Sequence, residues 1–207
     1  MKIAALIIGI DGWEQYTDPL VKSIHRHEPD CEVFVIDNAS KQAYPDMPWV
    51  NRTGRLCYSA AINRAHEIAN TKTWWGPPTG GYDWYIVLSN DVLCTGPFSH
   101  MLKKLHDVVA GPLLMTNQGW SYIEGWCVCI PSNVWATVGG WDEQFQVSSW
   151  EDVDFSVSAV EKGFSLEHMP DLPFVHLDQR QRFGIVPNYW ESEVHNVRYF
   201  AEKHGAK

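Results

Sequence analysis

The chain has 207 residues, 45% of them hydrophobic and 20% charged, a globular balance that excludes a disordered polymer. At this length about 70% of the unfolded surface is buried on folding, enough for one domain without staples. Lys and Arg total 16 against 25 Asp and Glu, a formal charge of −9, which disfavours binding nucleic acid by phosphate neutralisation or docking on an anionic membrane by charge.

Ile3 to Ile10 reads as a buried strand, ended by Asp11 and Gly12. Its apolar run is too short for a signal peptide, and no small-residue cleavage site follows. No segment approaches the roughly 18 apolar residues of a transmembrane helix. A helix is predicted from Thr17-Asp18-Pro19, with Asp18 as its cap and Pro19 in the first turn. Glu32 to Ile36 is a second strand, so the first two strands should be parallel with a right-handed crossover. Lys41 to Gly54 reads as irregular, Ser59 to Ala69 as helix, Asn70 to Asp83 as loop and Trp84 to Leu88 as strand. Pro97 to Val109 reads as helix. Short strands are predicted at Ala110 to Leu114 and Trp126 to Ile130, then a helix from Pro131 to Val138. Glu151 to Lys162 is a helix with Gly163 at its C-cap. Phe164 to Met169 and Phe174-Val175 complete the strands. After a turn at Pro187, Tyr189 to Lys203 is the last helix. The alternation predicts an α/β/α sandwich with a mostly parallel central sheet and a small antiparallel portion.

Five cysteines occur, none in a C-x-x-C pair. This fits buried free thiols in a reducing compartment, so the cytoplasm is the expected location. The 11 tryptophans fit either a large aromatic core or platforms for sugar rings and bases.

In open α/β sheets ligands bind beyond the carboxyl ends of the strands. Acidic residues stand at three such places: Asp37, Asp91 and Glu151-Asp152. Each is also the residue type of a turn or helix cap. Asp91, in a short polar turn after a buried strand, suits Mg2+ or Mn2+, with His176 as a candidate second ligand. No P-loop, G-x-G-x-x-G, G-x-S-x-G or H-E-x-x-H motif is present.

The segment Gly139-Gly140-Trp141-Asp142-Glu143-Gln144-Phe145, followed by Glu151-Asp152-Val153-Asp154, is the most specific part of the chain. It resembles the "GGFDE-x-F … EDVD" signature of family 2 glycosyltransferases of the GT-A fold. Ile36-Asp37-Asn38-Ala39-Ser40 resembles the family's "VDNAS" segment, and Ser59 to Ala65 its "xAAxNxG" helix. Val87-Leu88-Ser89-Asn90-Asp91-Val92 resembles "LNPDV", the location of the metal-binding DxD motif in a rhamnosyltransferase-like subgroup. The four blocks stand in order across most of the chain.

This resemblance implies a Rossmann-like GT-A domain over residues 1–207. Residues 1–95 would form a nucleotide-binding half, 96–178 an acceptor and catalytic half, and 179–207 a C-terminal loop and helix. It implies inverting transfer of a sugar from a nucleotide-sugar donor, UDP first, with dTDP and GDP open. Asp152 would be the general base, and Glu151 would orient the acceptor or the base. Asp91 and His176 would bind Mn2+ or Mg2+. Ile10, Asp11, Asp37, Asn38, Arg55, Asn63, Asn90, Arg180 and Arg182 would serve the donor nucleotide, Asp37 through the base or ribose. Trp126 and Trp150 would stack on an acceptor sugar or pack the core, alternatives that also hold for Trp120 and Trp141. The acceptor is open among saccharides, lipid-linked sugars, proteins and modified bases. Three departures stand out: Ser89 replaces the first acid of DxD, Arg64 replaces a common glycine, and no membrane anchor or extra helices are expected. A degenerate binding module on this scaffold and a nucleotidyltransferase are the alternatives.

Overall fold

The computed structural model describes residues 1–71, 81–177 and 188–205. Seven strands form the central sheet: β1 (Ile3–Gly9), β2 (Glu32–Asn38), β3 (Val50–Thr53), β4 (Trp84–Ser89), β6 (Val108–Gly111), β9 (Cys127–Pro131) and β10 (Ser165–His168). Their order is β10-β6-β9-β4-β1-β2-β3. The pairs β1/β2, β1/β4, β2/β3 and β6/β10 are parallel, and β9 runs antiparallel to both neighbours. Two small ribbons stand beside it. One pairs β5 (Val92–Cys94) with β11 (Phe174–His176), and the other pairs β7 (Leu114–Asn117) with β8 (Trp120–Ile123).

Both faces of the sheet are covered, which is why β1 is an unbroken apolar run rather than an alternating one. Ile3, Ala5 and Ile7 pack with Leu20, Val21 and Ile24 of α1 (Asp18–His27). Ala4, Leu6 and Ile8 pack on the other face with α2 (Tyr58–Thr71), α4 (Ser132–Val138) and α5 (Glu151–Glu161). Full burial of side chains such as Leu6 and Ile7 stabilises by about 1.5–3 kcal/mol each. A third cluster joins Phe145, Trp150, Val153 and Val157 to Phe200 of the C-terminal helix α6 (Tyr189–His204).

Several expectations are corrected. The helix predicted over Pro97 to Val109 is only α3 (Ser99–Leu102), because the β-branched Val108-Val109 fills the place between β9 and β10 as β6. The strand predicted over Ala110 to Leu114 is split between β6 and β7. Strands β3, β5 and β8 lie where no strand was predicted. Asp18 does not cap α1. A π-helical turn, Trp13–Thr17, leads into that helix, and Asp18 instead pairs with Lys22 at 2.6 Å. All five cysteines are free thiols.

Candidate functional site

β1, β2 and β4 run parallel and end together at Gly9, Asn38 and Ser89, so the loops that follow them share one edge of the sheet. Asn90 ties these loops. Its amide donates to the Asp11 carbonyl at 3.2 Å, to Thr17 Oγ1 at 3.1 Å and to Tyr44 Oη at 3.2 Å. Tyr44 donates its hydroxyl to the same Asp11 carbonyl at 2.7 Å, and burial pushes its phenol up to about 12. Asp11, with φ 55, receives Lys41 N–H on Oδ1 at 2.7 Å and donates its own N–H to Ser40 Oγ at 2.8 Å. Ile10 beside it is half-buried.

Asp37 is fully buried, and its carboxylate oxygens receive the N–H groups of Ser40 at 2.9 Å and Tyr44 at 3.1 Å. Arg52 lies 3.8 Å from the same carboxylate and donates to the Ser40 carbonyl at 3.0 Å. Asp37 thus shapes the loop after β2 from within. Asn38 accepts Leu56 N–H at 2.8 Å and donates to Leu56 C=O at 3.0 Å. Asn63 does the same to Trp141, at 2.9 and 2.8 Å, and also donates to Glu143 at 2.8 Å. A Cβ on Gly140, whose φ is 94, would sit 2.9 Å from Asn63 Oδ1. The first glycine pair of the signature therefore turns tightly around this asparagine. Arg55 is exposed. Arg180 and Arg182 lie outside the described residues.

The β5/β11 ribbon aligns Val92 with His176, which brings His176 beside Asp91. His176 Nε2 stands 3.2 Å from Asp91 Oδ2, and Ser89 donates to Asp91 Oδ1 at 2.7 Å. Burial raises the Asp91 carboxyl, but the hydrogen bonds from His176 and Ser89 outweigh it and hold it below the usual carboxylate range. Trp126 stacks on the His176 ring, with centroids 5.1 Å apart and planes 10° apart, and its indole N–H is held by Glu124 at 2.8 Å. Buried Nδ1 of His176 has no hydrogen-bond partner among the described residues.

This pair fits a divalent cation. Adjacent ligands on an octahedral ion with bonds of about 2.1 Å stand about 3.0 Å apart. Among the described residues no group of three or more His, Cys, Asp or Glu could hold a metal. Two protein ligands suit an ion that takes its other positions from phosphate and water.

Asp152 lies in the first turn of α5, where the helix terminus favours negative charge. Its Oδ2 receives Gly125 N–H at 2.9 Å and its Oδ1 receives Val153 N–H at 2.9 Å. Glu151 beside it is 5% exposed. Cys31 and Cys94 are not set up as nucleophiles: burial pushes Cys31 up to about 12 and Cys94 up to about 11.

Of the two tryptophans expected on the acceptor side, Trp126 stacks on His176 and Trp150 packs against the last helix. The Trp150 ring lies 5.1 Å from Phe200 and its N–H is held by Glu193 at 3.0 Å. Trp141 stacks on Phe155 at 4.9 Å, and Trp120 meets Phe200 edge-on at 5.7 Å. Sequence reasoning did not single out Tyr44, Arg52 or Gly125. Tyr44 and Arg52 reach backbone carbonyls and Gly125 offers its own N–H, pairings that no motif exposes.

No protein-family model matches the chain, and no curated protein matches it. Solved structures do. A mannosyltransferase, PcManGT from Pyrobaculum calidifontis, in complex with GDP-Man and Mn2+, aligns over 96% of this chain and 69% of its own at 13% identity, with a TM-score of 0.60. GalNAc-T7, with UDP, GalNAc and Mn2+, aligns over 97% of this chain and 48% of its own at 13% identity, with a TM-score of 0.75. The chain therefore spans about half the length of the second. With its mixed seven-stranded sheet covered by helices on both faces, this chain has the GT-A fold of those two glycosyltransferases.

Proposed function

We propose that this protein is an inverting glycosyltransferase of the family 2 type. It moves a sugar from a nucleoside-diphosphate donor, UDP first among candidates, to an acceptor hydroxyl. The observation that carries the reading is the Asp91–His176 pair, 3.2 Å apart at the loop edge of the sheet. The fold shared with two glycosyltransferases whose structures contain Mn2+ supports it.

Asp91 and His176 would hold Mn2+ or Mg2+, and Trp126 would fix the plane of the histidine. A cation bound there stabilises negative charge on the departing diphosphate. Ile10, Asp11 and Asn90 form the donor cradle. Asp37, Asn38 and Asn63 serve it by fixing its walls. Arg55, Arg180 and Arg182 supply positive charge to the phosphates. Asp152 takes the proton from the acceptor hydroxyl as its oxygen bonds the anomeric carbon and the bond to the diphosphate breaks. Glu151 orients the acceptor or the base.

Asp152→Asn tests this. Transfer should fall by about 10²–10⁴-fold, the scale on which base catalysis contributes. Binding of UDP with Mn2+, followed by thermal shift, should stay intact. Normal turnover in the variant would remove Asp152 as base. No shift of wild type by UDP, dTDP or GDP, with or without Mn2+, would overturn the donor site and favour a binding module.

A further inference from the structure

The segment before Asp152 is held in an unfavourable backbone conformation. Val147, Ser149 and Trp150 have φ of 55°, 100° and 70°. For a β-branched residue such as Val147 this is a genuine outlier, and it persists only where neighbours enforce it. The enforcing groups come from one face of α6. Asn196, fully buried, accepts Gln146 N–H at 2.8 Å and donates to the carbonyls of Gln146 and Ser149, each at 2.9 Å. Glu193, one turn earlier, accepts the Ser149 hydroxyl and, at 3.0 Å, the Trp150 indole N–H. From the other side, Tyr58 N–H bonds the Val147 carbonyl at 2.7 Å.

Trp150 is the residue from which α5 starts, and Asp152 follows in its first turn. The direction of the Asp152 carboxylate is thus inherited from the path of residues 146–150. We infer that Asn196 is a positioning residue for catalysis: by clamping Gln146 and Ser149 it sets where Asp152 points, although it touches no reacting atom. The inference rests on the reading of Asp152 as general base. Glu193 assists from the same helix face.

The test uses the full chain and Asn196→Asp, which keeps size and the acceptor for Gln146 N–H but puts an oxygen where two carbonyls need a donor. Two readouts are taken. The first is amide hydrogen exchange without ligand at Gly125, whose N–H is bonded to Asp152, and across 146–153. Exchange is expected to rise at least about tenfold there, with the amides of β1 and β4 unchanged. The second is kcat and KM for release of UDP from UDP-glucose with Mn2+. A drop in kcat of about tenfold or more is expected, with KM within about twofold. Glu193→Ala, at a half-buried position, is the milder companion and should act in the same direction; it decides the matter if Asn196→Asp does not fold. Unchanged exchange at Gly125, or kcat within twofold of wild type, overturns the inference. Equal loss of kcat and of UDP binding also overturns it, since that marks a merely structural role. If wild type releases no UDP, or Asp152→Asn leaves the rate intact, the functional reading fails separately and the exchange readout alone decides Asn196.

Discussion

Gly125 donates its backbone N–H to Asp152 Oδ2 at 2.9 Å, and a Cβ on this glycine would lie 3.2 Å from that same oxygen. A methyl group here pushes the carboxylate aside by a few tenths of an ångström. Gly125→Ala should therefore lower kcat by about tenfold, since displacements of about 1 Å cost about 10²-fold. Calorimetric affinity for UDP with Mn2+ should not move. An unchanged rate would detach Asp152 from the chemistry.

Trp126 and His176 stack with planes 10° apart, so the indole sets the orientation of a proposed ligand. Partners of this kind affect metal affinity by about 10–100-fold when removed. Trp126→Ala should weaken Mn2+ binding in the presence of UDP by about tenfold, and Trp126→Phe by less. Titration followed by electron paramagnetic resonance measures both. Equal affinities across the series would make Trp126 a core residue only.

His66 lies flat on Trp135, with centroids 4.1 Å apart and planes 7° apart. Burial lowers its pKa from 6.5 to about 4. Above pH 6.5 both folded and unfolded chains carry it neutral. Below that, the unfolded chain takes up a proton that the folded chain refuses, so stability falls as pH drops towards about 4 and then levels off. His66→Phe should remove this part of the slope in urea midpoints measured from pH 7 down to 4. A slope identical to wild type would mean that other groups carry it.

Lys203 of α6 bridges Asp142 at 2.7 Å and Asp154 at 2.8 Å, joining the two acidic signature segments. Asp154 is 2% exposed and also meets His204 at 2.8 Å. Lys203→Met leaves a buried carboxylate with one partner fewer. The expected cost is about 1–3 kcal/mol in chemical denaturation, with UDP affinity unchanged. Loss of UDP affinity at full stability would instead place Lys203 in the binding chemistry.

Much of the frame was legible because periodicity and burial agree. The runs at Ile3–Gly9, Glu32–Asn38 and Trp84–Ser89 are strands buried on both faces, and their ends are the places where acidic residues stand out. Asp91 and His176 could each be picked out, and the β5/β11 ribbon joins them. The misses have physical causes. Strand β3 is short and only partly buried, so it carries little apolar signal. The β7/β8 hairpin turns on Gln118 and Gly119, at φ 49 and 81, but β7 is mostly exposed and β8 mostly half-buried. Asp37 and Asn63 stand out by motif, yet their partners are backbone groups of Ser40, Tyr44 and Trp141, which any residue type supplies. Nothing in the sequence around Asn196 marks it, since its role depends on a loop distant in the chain.

The β5/β11 ribbon has a consequence for assembly. Asp91 belongs to the first half of the chain and His176 to the second, and they meet only when β11 docks on β5. Pairings between segments so far apart in sequence incur their entropy cost before they return any contact. A chain stopping before β11 would carry the strands on either side of β1 but only one half of the pair. If the pair holds a cation as proposed, cation affinity would double as a readout of whether β11 has docked.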